Sequence, residues 1–255
     1  MAHKQYGLIG YPLSHSFSID YFNQKFQAEG IDAEYMNFEI EDIGSLMELI
    51  AEYPELDGLN VTAPYKEQVI PFLDGLDADA KRVGAVNVIQ FVRDERGELK
   101  RLVGCNSDVV GFGRTMESIV EPGMRAMVLG TGGAAKACKC ALEPMGVEVQ
   151  LVSRRKSAAT VTYEEITRAM VAEYRLIVNA TPVGKYPNVD QCPDFPYRFL
   201  TPNHLAYDLI YNPDLTLFMK RAQEAGAAVK NGLEMLLLQA FVSYEIWTGR
   251  RSNQI

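Results

Sequence analysis

Residues 127–135 read Met-Val-Leu followed by Gly130-Thr131-Gly132-Gly133-Ala134-Ala135, a short apolar strand running into a glycine-rich turn at the head of a helix. The GxGxxA pattern suits a dinucleotide pyrophosphate. The first glycine permits the tight turn, the second lets backbone approach the anion, and small Ala135 allows helix and strand to pack closely. Amides at the helix N-terminus then donate to the phosphates. A glycine turn that only packs carries the same pattern, so context matters. The next strand, VEVQLV, ends where such a fold grips the adenosine ribose, and an NAD site usually places Asp or Glu there. Here the residues are Ser153-Arg154-Arg155-Lys156. A cationic cluster without an acid favours NADP over NAD; the alternative, a solvated basic turn, suits one arginine better than three adjacent cations in an acidic protein.

Two stretches of the first half also hold polar groups with chemical potential. NVTAPYKE, residues 60–67, sets Lys66 just beyond a strand, at the expected start of a helix, where a cation opposes the helix dipole. Exposed helix lysine is the ordinary outcome. A lysine tuned by burial or neighbours can instead donate or accept a proton beside a hydride-transfer site. Ser14 and Ser16 of SHS open a helix; one serine suffices as an N-cap, and two together can also hold a small carboxylate.

The elements that must position these groups are legible from periodicity. QYGLIG reads as a strand, and SFSIDYFNQKFQAEG carries Phe17, Ile19, Phe22 and Phe26 at helical spacing up to Gly30. Met36, Phe38 and Ile40 alternate, DIGSLMELIAEYP is helical, and LDGLNVT supplies a third strand. Such alternation predicts an α/β fold with mostly parallel sheets. Two apolar runs flanking Asp94-Glu95-Arg96-Gly97 predict a hairpin over residues 86–103. Strand-helix alternation then restarts, which predicts two domains. Residues 1–107 with 232–255 form a substrate-binding domain, and 108–231 a Rossmann-like one, with the apolar helix GLEMLLLQAFVSYEIWTG crossing back to the first. The crossings are expected near Asn106-Ser107-Asp108 and near Asn231-Gly232, where glycine permits a turn, and as a hinge that closes the intervening cleft.

With 33 acidic and 25 basic residues among 255, the formal charge of −8 repels nucleic acid and anionic lipid. No apolar run approaches the ~18 residues of a membrane span. Cys105, Cys138, Cys140 and Cys192 show no zinc-type pairs, so no metal is expected and reduced thiols in a cytoplasm fit best.

In order along nearly the whole chain, GYPLSHSFS, NVTAPYKE, GAVNV, GCNSDVVGF, GTGGAAKA, NATPVG, YDLIYNP and GLEMLLLQA resemble the shikimate dehydrogenase family. The resemblance implies reversible, NADP-linked reduction of 3-dehydroshikimate to shikimate, a step toward chorismate and the aromatic amino acids, in a cytoplasmic monomer or homodimer whose partners are small molecules. It implies that Lys66 and Asp108 form the catalytic pair, the carboxylate keeping the ammonium charged and oriented. Ser14 and Ser16 would hold the substrate carboxylate with Tyr211 nearby, and Asn60, Thr62, Asn87 and Gln239 would bond ring hydroxyls. Gly130, Thr131, Gly132, Gly133, Ala134, Ser153, Arg154, Arg155, Asn179, Thr181 and Gly232 would contact the cofactor. Backbone-bonded turns remain the other reading of Asn60 and Asn87, and an N-cap that of Asp108.

The chain departs from the family pattern in three places. Thr131 replaces the alanine of GAGG. Ser153 and Arg155 replace the asparagine and threonine of NRT, which leaves Arg154 the firmest 2′-phosphate ligand. SAATVTYEEI is short for a crossover helix. The rival functions are a quinate or quinate/shikimate dehydrogenase and a non-catalytic dinucleotide sensor; retention of Lys66 and Asp108 speaks against the sensor.

Overall fold

The computed structural model describes residues 3–13 and 17–249. Its chain divides into two compact units: one runs through Ser107 and resumes at Ala240, the other is Asp108–Gln239.

The first unit is built on β1 (Lys4–Gly10), β2 (Ala33–Glu39), β3 (Leu56–Val61), β4 (Gly75–Leu76), β5 (Val88–Arg93) and β6 (Leu99–Cys105), with helices α1 (Phe17–Glu29), α2 (Leu46–Glu52) and α3 (Ala78–Val83). Strand order is β2-β1-β3-β5-β6-β4. The β1–β2 and β1–β3 pairs are parallel, whereas β5 is antiparallel to both β3 and β6. The expected hairpin is therefore present. Its turn closes because the Asp94 carboxylate accepts from the Arg96 and Glu98 amides and Gly97 adopts φ +81°.

Side-chain alternation sends one set of strand residues to each face. Ile9, Leu59, Val61, Ile89 and Phe91 bury with Leu46 and Leu49 of α2. Tyr6, Leu8 and Val88 bury on the other face with Phe22 and Phe26. Ile40, expected within the second strand, lies just past its end but still packs on the α2 side.

The second unit contains α4 (Ser107–Met116, beginning at the boundary), β7 (Arg125–Leu129), α5 (Gly133–Leu142), β8 (Glu148–Ser153), β9 (Thr160–Thr162), α6 (Arg168–Glu173), β10 (Leu176–Asn179), β11 (Leu205–Asp208), α7 (Leu217–Glu224), β12 (Ala228–Lys230) and the start of α8 (Leu233–Thr248). Its strand order is β12-β11-β10-β7-β8-β9 with every neighbouring pair parallel. That is the doubly wound order, whose direction reverses between β7 and β10. Among the described residues no helix is long and apolar enough to cross a membrane, and the four cysteines are free.

Compactness divides the units inside α8, between Gln239 and Ala240, a short way past Asn231-Gly232. Glycine at 232 answers a steric need: a Cβ there would stand 2.1 Å from the Leu209 carbonyl oxygen. Ala240, Tyr244 and Trp247 of α8 belong to the aromatic core of the first unit.

Within that core Trp247 stacks on Tyr6 at 4.9 Å and donates its indole N–H to the Ile89 carbonyl at 3.2 Å. A Cβ on Gly58 would lie 2.3 Å from the Trp247 ring. Gly58→Ala is therefore expected to destabilise the protein by about 1–3 kcal/mol through overpacking. Because the chain has one tryptophan, fluorescence-monitored urea unfolding reads both the stability and the displaced indole. Wild-type stability and emission would show that the strand absorbs the methyl.

Candidate active site

In the first unit the end of β3 carries Asn60 and then Thr62, and the chain continues through turns over residues 63–69. Lys66 therefore sits in a turn, not at the start of the expected helix. The cause is where the backbone bonds go. The Lys66 carbonyl accepts from the Val86 amide at 2.7 Å, the Ile70 amide turns to Glu67, and the Tyr65 hydroxyl is pinned to the Ile40 carbonyl at 2.6 Å. The same bonds bring Lys66, half-buried, beside the strand entry that leads to Asn87.

Asn60 is 7% exposed. Its Oδ1 accepts from Tyr35 Oη at 2.8 Å, while Nδ2 donates to the Asn87 carbonyl at 3.2 Å and to Ser243 Oγ at 3.0 Å. Asn87 clamps Ser107: Nδ2 donates to Ser107 Oγ at 2.9 Å and Oδ1 accepts the Ser107 amide at 2.7 Å. The Ser107 and Ser243 hydroxyls are 3.2 Å apart. Much of the hydrogen-bonding capacity of these amides is thus used in framing the unit. Burial pushes the Tyr35 phenol far above its ordinary range, so it stays a neutral donor. Thr62 is half-buried, its amide donating to the Ile9 carbonyl. Ser14 and Ser16 lie outside the described residues.

In the second unit the switch point between β7 and β10 brings the glycine turn against Ala180 and Thr181, while Arg154 and Arg155 follow the neighbouring strand β8. Gly130 follows β7 at φ +119°, and a Cβ there would stand 3.1 Å from the Ala180 carbonyl. The N-cap of α5 is Gly132, with no side-chain cap and nothing within 4 Å of where its Cβ would be. Thr131 and Gly132 are exposed, and Gly133 and Ala134 form the first turn. Amides at the head of a ten-residue helix with open space above them fit a pyrophosphate.

Ser153 ends β8 and its hydroxyl accepts from the Arg155 amide at 3.2 Å. Arg154 and Arg155 are exposed. Lys156 is exposed too and is ion-paired with Glu165. No acid stands at the end of β8, as a 2′-phosphate requires.

Asn179 is fully buried at the end of β10. Its Oδ1 accepts from the Thr181 amide at 3.1 Å and hydroxyl at 2.7 Å, and its Nδ2 donates to Asp208 at 3.0 Å. Asn179 therefore shapes the NATPVG turn, with Thr181 at its rim.

Asp108 is buried in the first turn of α4. Tyr211 is half-buried on the loop after β11, which raises its phenol above the usual range. The Gln239 carboxamide donates to the Leu236 carbonyl at 3.0 Å, and α4 passes close to α8 here: a Cβ on Gly111 would meet the Gln239 backbone at 2.9 Å. The expected substrate residues thus divide, with Asn60, Thr62, Lys66 and Asn87 in one unit and Asp108, Tyr211 and Gln239 in the other.

Strand order, glycine turn and capless helix head define a dinucleotide-binding α/β enzyme. Residues 8–89 match the family model for the shikimate dehydrogenase substrate binding domain, and 232–254 that for the shikimate 5′-dehydrogenase C-terminal domain. The NADP(+)-type shikimate dehydrogenase of Desulforamulus reducens is 37% identical over 95% of this chain and 89% of its own. The structure of the Thermus thermophilus shikimate 5-dehydrogenase in complex with NADP(H) and shikimate is 30% identical with a TM-score of 0.83, covering 98% of this chain and 95% of that one. Quinate dehydrogenase from Corynebacterium glutamicum in complex with NAD is also similar, at 28% identity and TM-score 0.82 over 97% and 94% of the two chains. The chain belongs to the shikimate dehydrogenase family.

Sequence reading passed over Asp208, Tyr35 and Ser243. Asp208 carries a signal, an acid inside the apolar run LAYDLIY, and Ser243 is a hydroxyl within an otherwise apolar helix. Asp208 has no exposed surface; its carboxyl accepts from Asn179, from the Ile210 amide at 3.0 Å and from the Thr216 hydroxyl at 2.6 Å. Burial outweighs those bonds and pushes it up from 3.8 to about 6. Between these values the unfolded chain gives up this proton while the folded chain retains it. Its contribution to stability is therefore present below pH ~4 and lost as pH rises through 6. In urea unfolding at pH 4 and pH 7, Asp208→Asn should gain on wild type by on the order of 2–3 kcal/mol over that interval. A difference independent of pH would show that Asp208 does not titrate there.

Proposed function

We propose that the chain reduces 3-dehydroshikimate reversibly to shikimate with NADPH. The observation that carries this reading is the switch-point site of a shikimate dehydrogenase family chain, where an open glycine turn is followed, one strand on, by Arg154 and Arg155 in place of an acid. The quinate reading is not favoured. The protein is an oxidoreductase of the shikimate pathway and acts on small molecules; we place it in the cytoplasm as a monomer or homodimer.

Gly130, Thr131, Gly132, Gly133 and Ala134 would hold the pyrophosphate, Arg154 and Arg155 the 2′-phosphate, with Ser153, Asn179, Thr181 and Gly232 shaping the remainder. When bound, NADPH supplies the hydride. The accompanying proton goes to the new hydroxyl, and we assign its delivery to Lys66, with Asp108 as the second member of the catalytic pair. Ser14, Ser16 and Tyr211 are assigned to the substrate carboxylate, and Thr62, Asn87 and Gln239 to its hydroxyls. Asn60 has both amide protons committed to Asn87 and Ser243, so its contribution is to accept, through Oδ1.

Steady-state assay with 3-dehydroshikimate and NADPH tests the reading directly. Lys66→Ala should lower kcat by a factor on the order of 10²–10⁴ with a modest change in KM. Near-wild-type turnover would remove Lys66 from the proton step.

The cofactor assignment has its own test. Arg154→Ala should raise the KM for NADP far more than that for NAD, because only NADP carries the phosphate that a guanidinium binds in bidentate fashion. Equal rises would mean that Arg154 does not touch it.

A further inference from the structure

Since all strands of the second sheet are parallel, one end gathers everything that follows the strands and the other everything that precedes them. The glycine turn, Ser153 and Asn179 stand at the first end. At the second, a cavity of about 750 Å³ is lined by Arg168, Arg175 and Arg198 together with Thr201, Asn203 and His204, over an apolar floor of Ala172, Phe199 and Leu200. Arg168 opens α6, Arg175 directly precedes β10, and Arg198 lies in the short helix Tyr197–Phe199.

Three features set this cavity apart from an ordinary solvated face. No carboxylate lines it. None of the three guanidiniums has a carboxylate partner among the described residues, although the chain carries an excess of eight negative charges. Part of its wall is also held in place, although the three guanidiniums themselves are exposed. The buried His204 accepts the Thr201 amide at Nδ1, 3.0 Å, and donates from Nε2 to the Val171 carbonyl, 2.8 Å, which staples the loop to α6. The Arg198 guanidinium lies 4.6 Å over the Phe199 ring, which limits its freedom.

We propose that this cavity is a second ligand site, for a small organic oxyanion bearing at least two negative charges, separate from the dinucleotide site at the opposite end of the sheet. Three unneutralised guanidiniums around one hollow present forked donors matched to phosphate or carboxylate oxygens. The volume exceeds that of a lone inorganic ion, and the Ala172–Phe199–Leu200 floor suits a carbon skeleton. Phosphate esters and polycarboxylates share this chemistry, and two probes separate them.

Calorimetric titration of the full chain with pyrophosphate, and in parallel with citrate, at constant ionic strength, tests the site. The expected result is saturable binding of at least one probe at one site, weakened at least tenfold in Arg168→Gln/Arg175→Gln/Arg198→Gln. Arg154→Gln/Arg155→Gln should leave it unchanged. The single variants Arg175→Gln and Arg198→Gln should each weaken it several-fold, which keeps the test decisive if the triple variant folds poorly. Preference for pyrophosphate assigns the site to phosphate esters and preference for citrate to polycarboxylates. The proposal is overturned if neither probe saturates, if sodium chloride reproduces the effect, or if binding survives the cavity substitutions, whether or not it also survives those at Arg154 and Arg155, since a probe held at the glycine turn or at those arginines is insensitive to the cavity. None of these readouts depends on turnover, so they stand or fall apart from the assigned reaction.

Discussion

A carboxyl group with no exposed surface stands at the end of β11, and the turns around it take their form from the need to satisfy it. An unpaired buried carboxylate is far costlier than any single turn conformation. Asp208 therefore collects a side-chain amide from β10, a backbone amide from its own loop and the hydroxyl that caps α7. Asn179, held by that bond, has its oxygen left for Thr181, and the NATPVG turn follows. Because the Ala180 carbonyl then comes to rest against Gly130, a side chain at 130 would crowd it, and the glycine turn is obliged to remain glycine. One buried acid thus reaches, through two bonds and one close approach, the place where a pyrophosphate would lie.

The first unit secures its polar residues with neutral groups. Tyr35, Asn60, Ser243, Ser107 and Asn87 form a chain of hydroxyls and amides in which none needs a net charge. Such a chain satisfies the buried ends of β3 and β5 without the desolvation cost of an ion.

Much of this was legible because local chemistry decides it. GTGGAA can form few other structures after an apolar strand, and Asp94 with Gly97 specifies its own turn. What escaped the sequence depended on partners remote in the chain. The Lys66 carbonyl finds Val86 in preference to a helical amide, and only the sheet register puts Val86 there. The pairing of Lys156 with Glu165, which lies beyond an unforeseen strand, is of the same kind. That Ser243, far along the chain, takes one of the Asn60 amide protons is likewise invisible in the sequence. Gly232 does lie in a bend before α8, and the approach of the Leu209 carbonyl to it is what the sequence could not show.

The shortened stretch after β8 has a structural meaning of the same kind. Parallel neighbours usually need a crossover of a dozen residues or more, yet β8 and β9 are joined by residues 154–159 alone. So short a link has no room for a helix. It is tied instead by Ser157 and Thr160, and by the capping box of Thr162 and Glu165 just beyond β9. Glu165 reaches back to Lys156 from that box, so the far end of the link is anchored while Arg154 and Arg155 at its near end stay exposed. A full crossover helix would have positioned such residues from behind; under the proposed assignment, a phosphate held by Arg154 and Arg155 would have to order two long, exposed side chains. Their ordering entropy would oppose binding, and the bidentate geometry of the guanidinium would offset it.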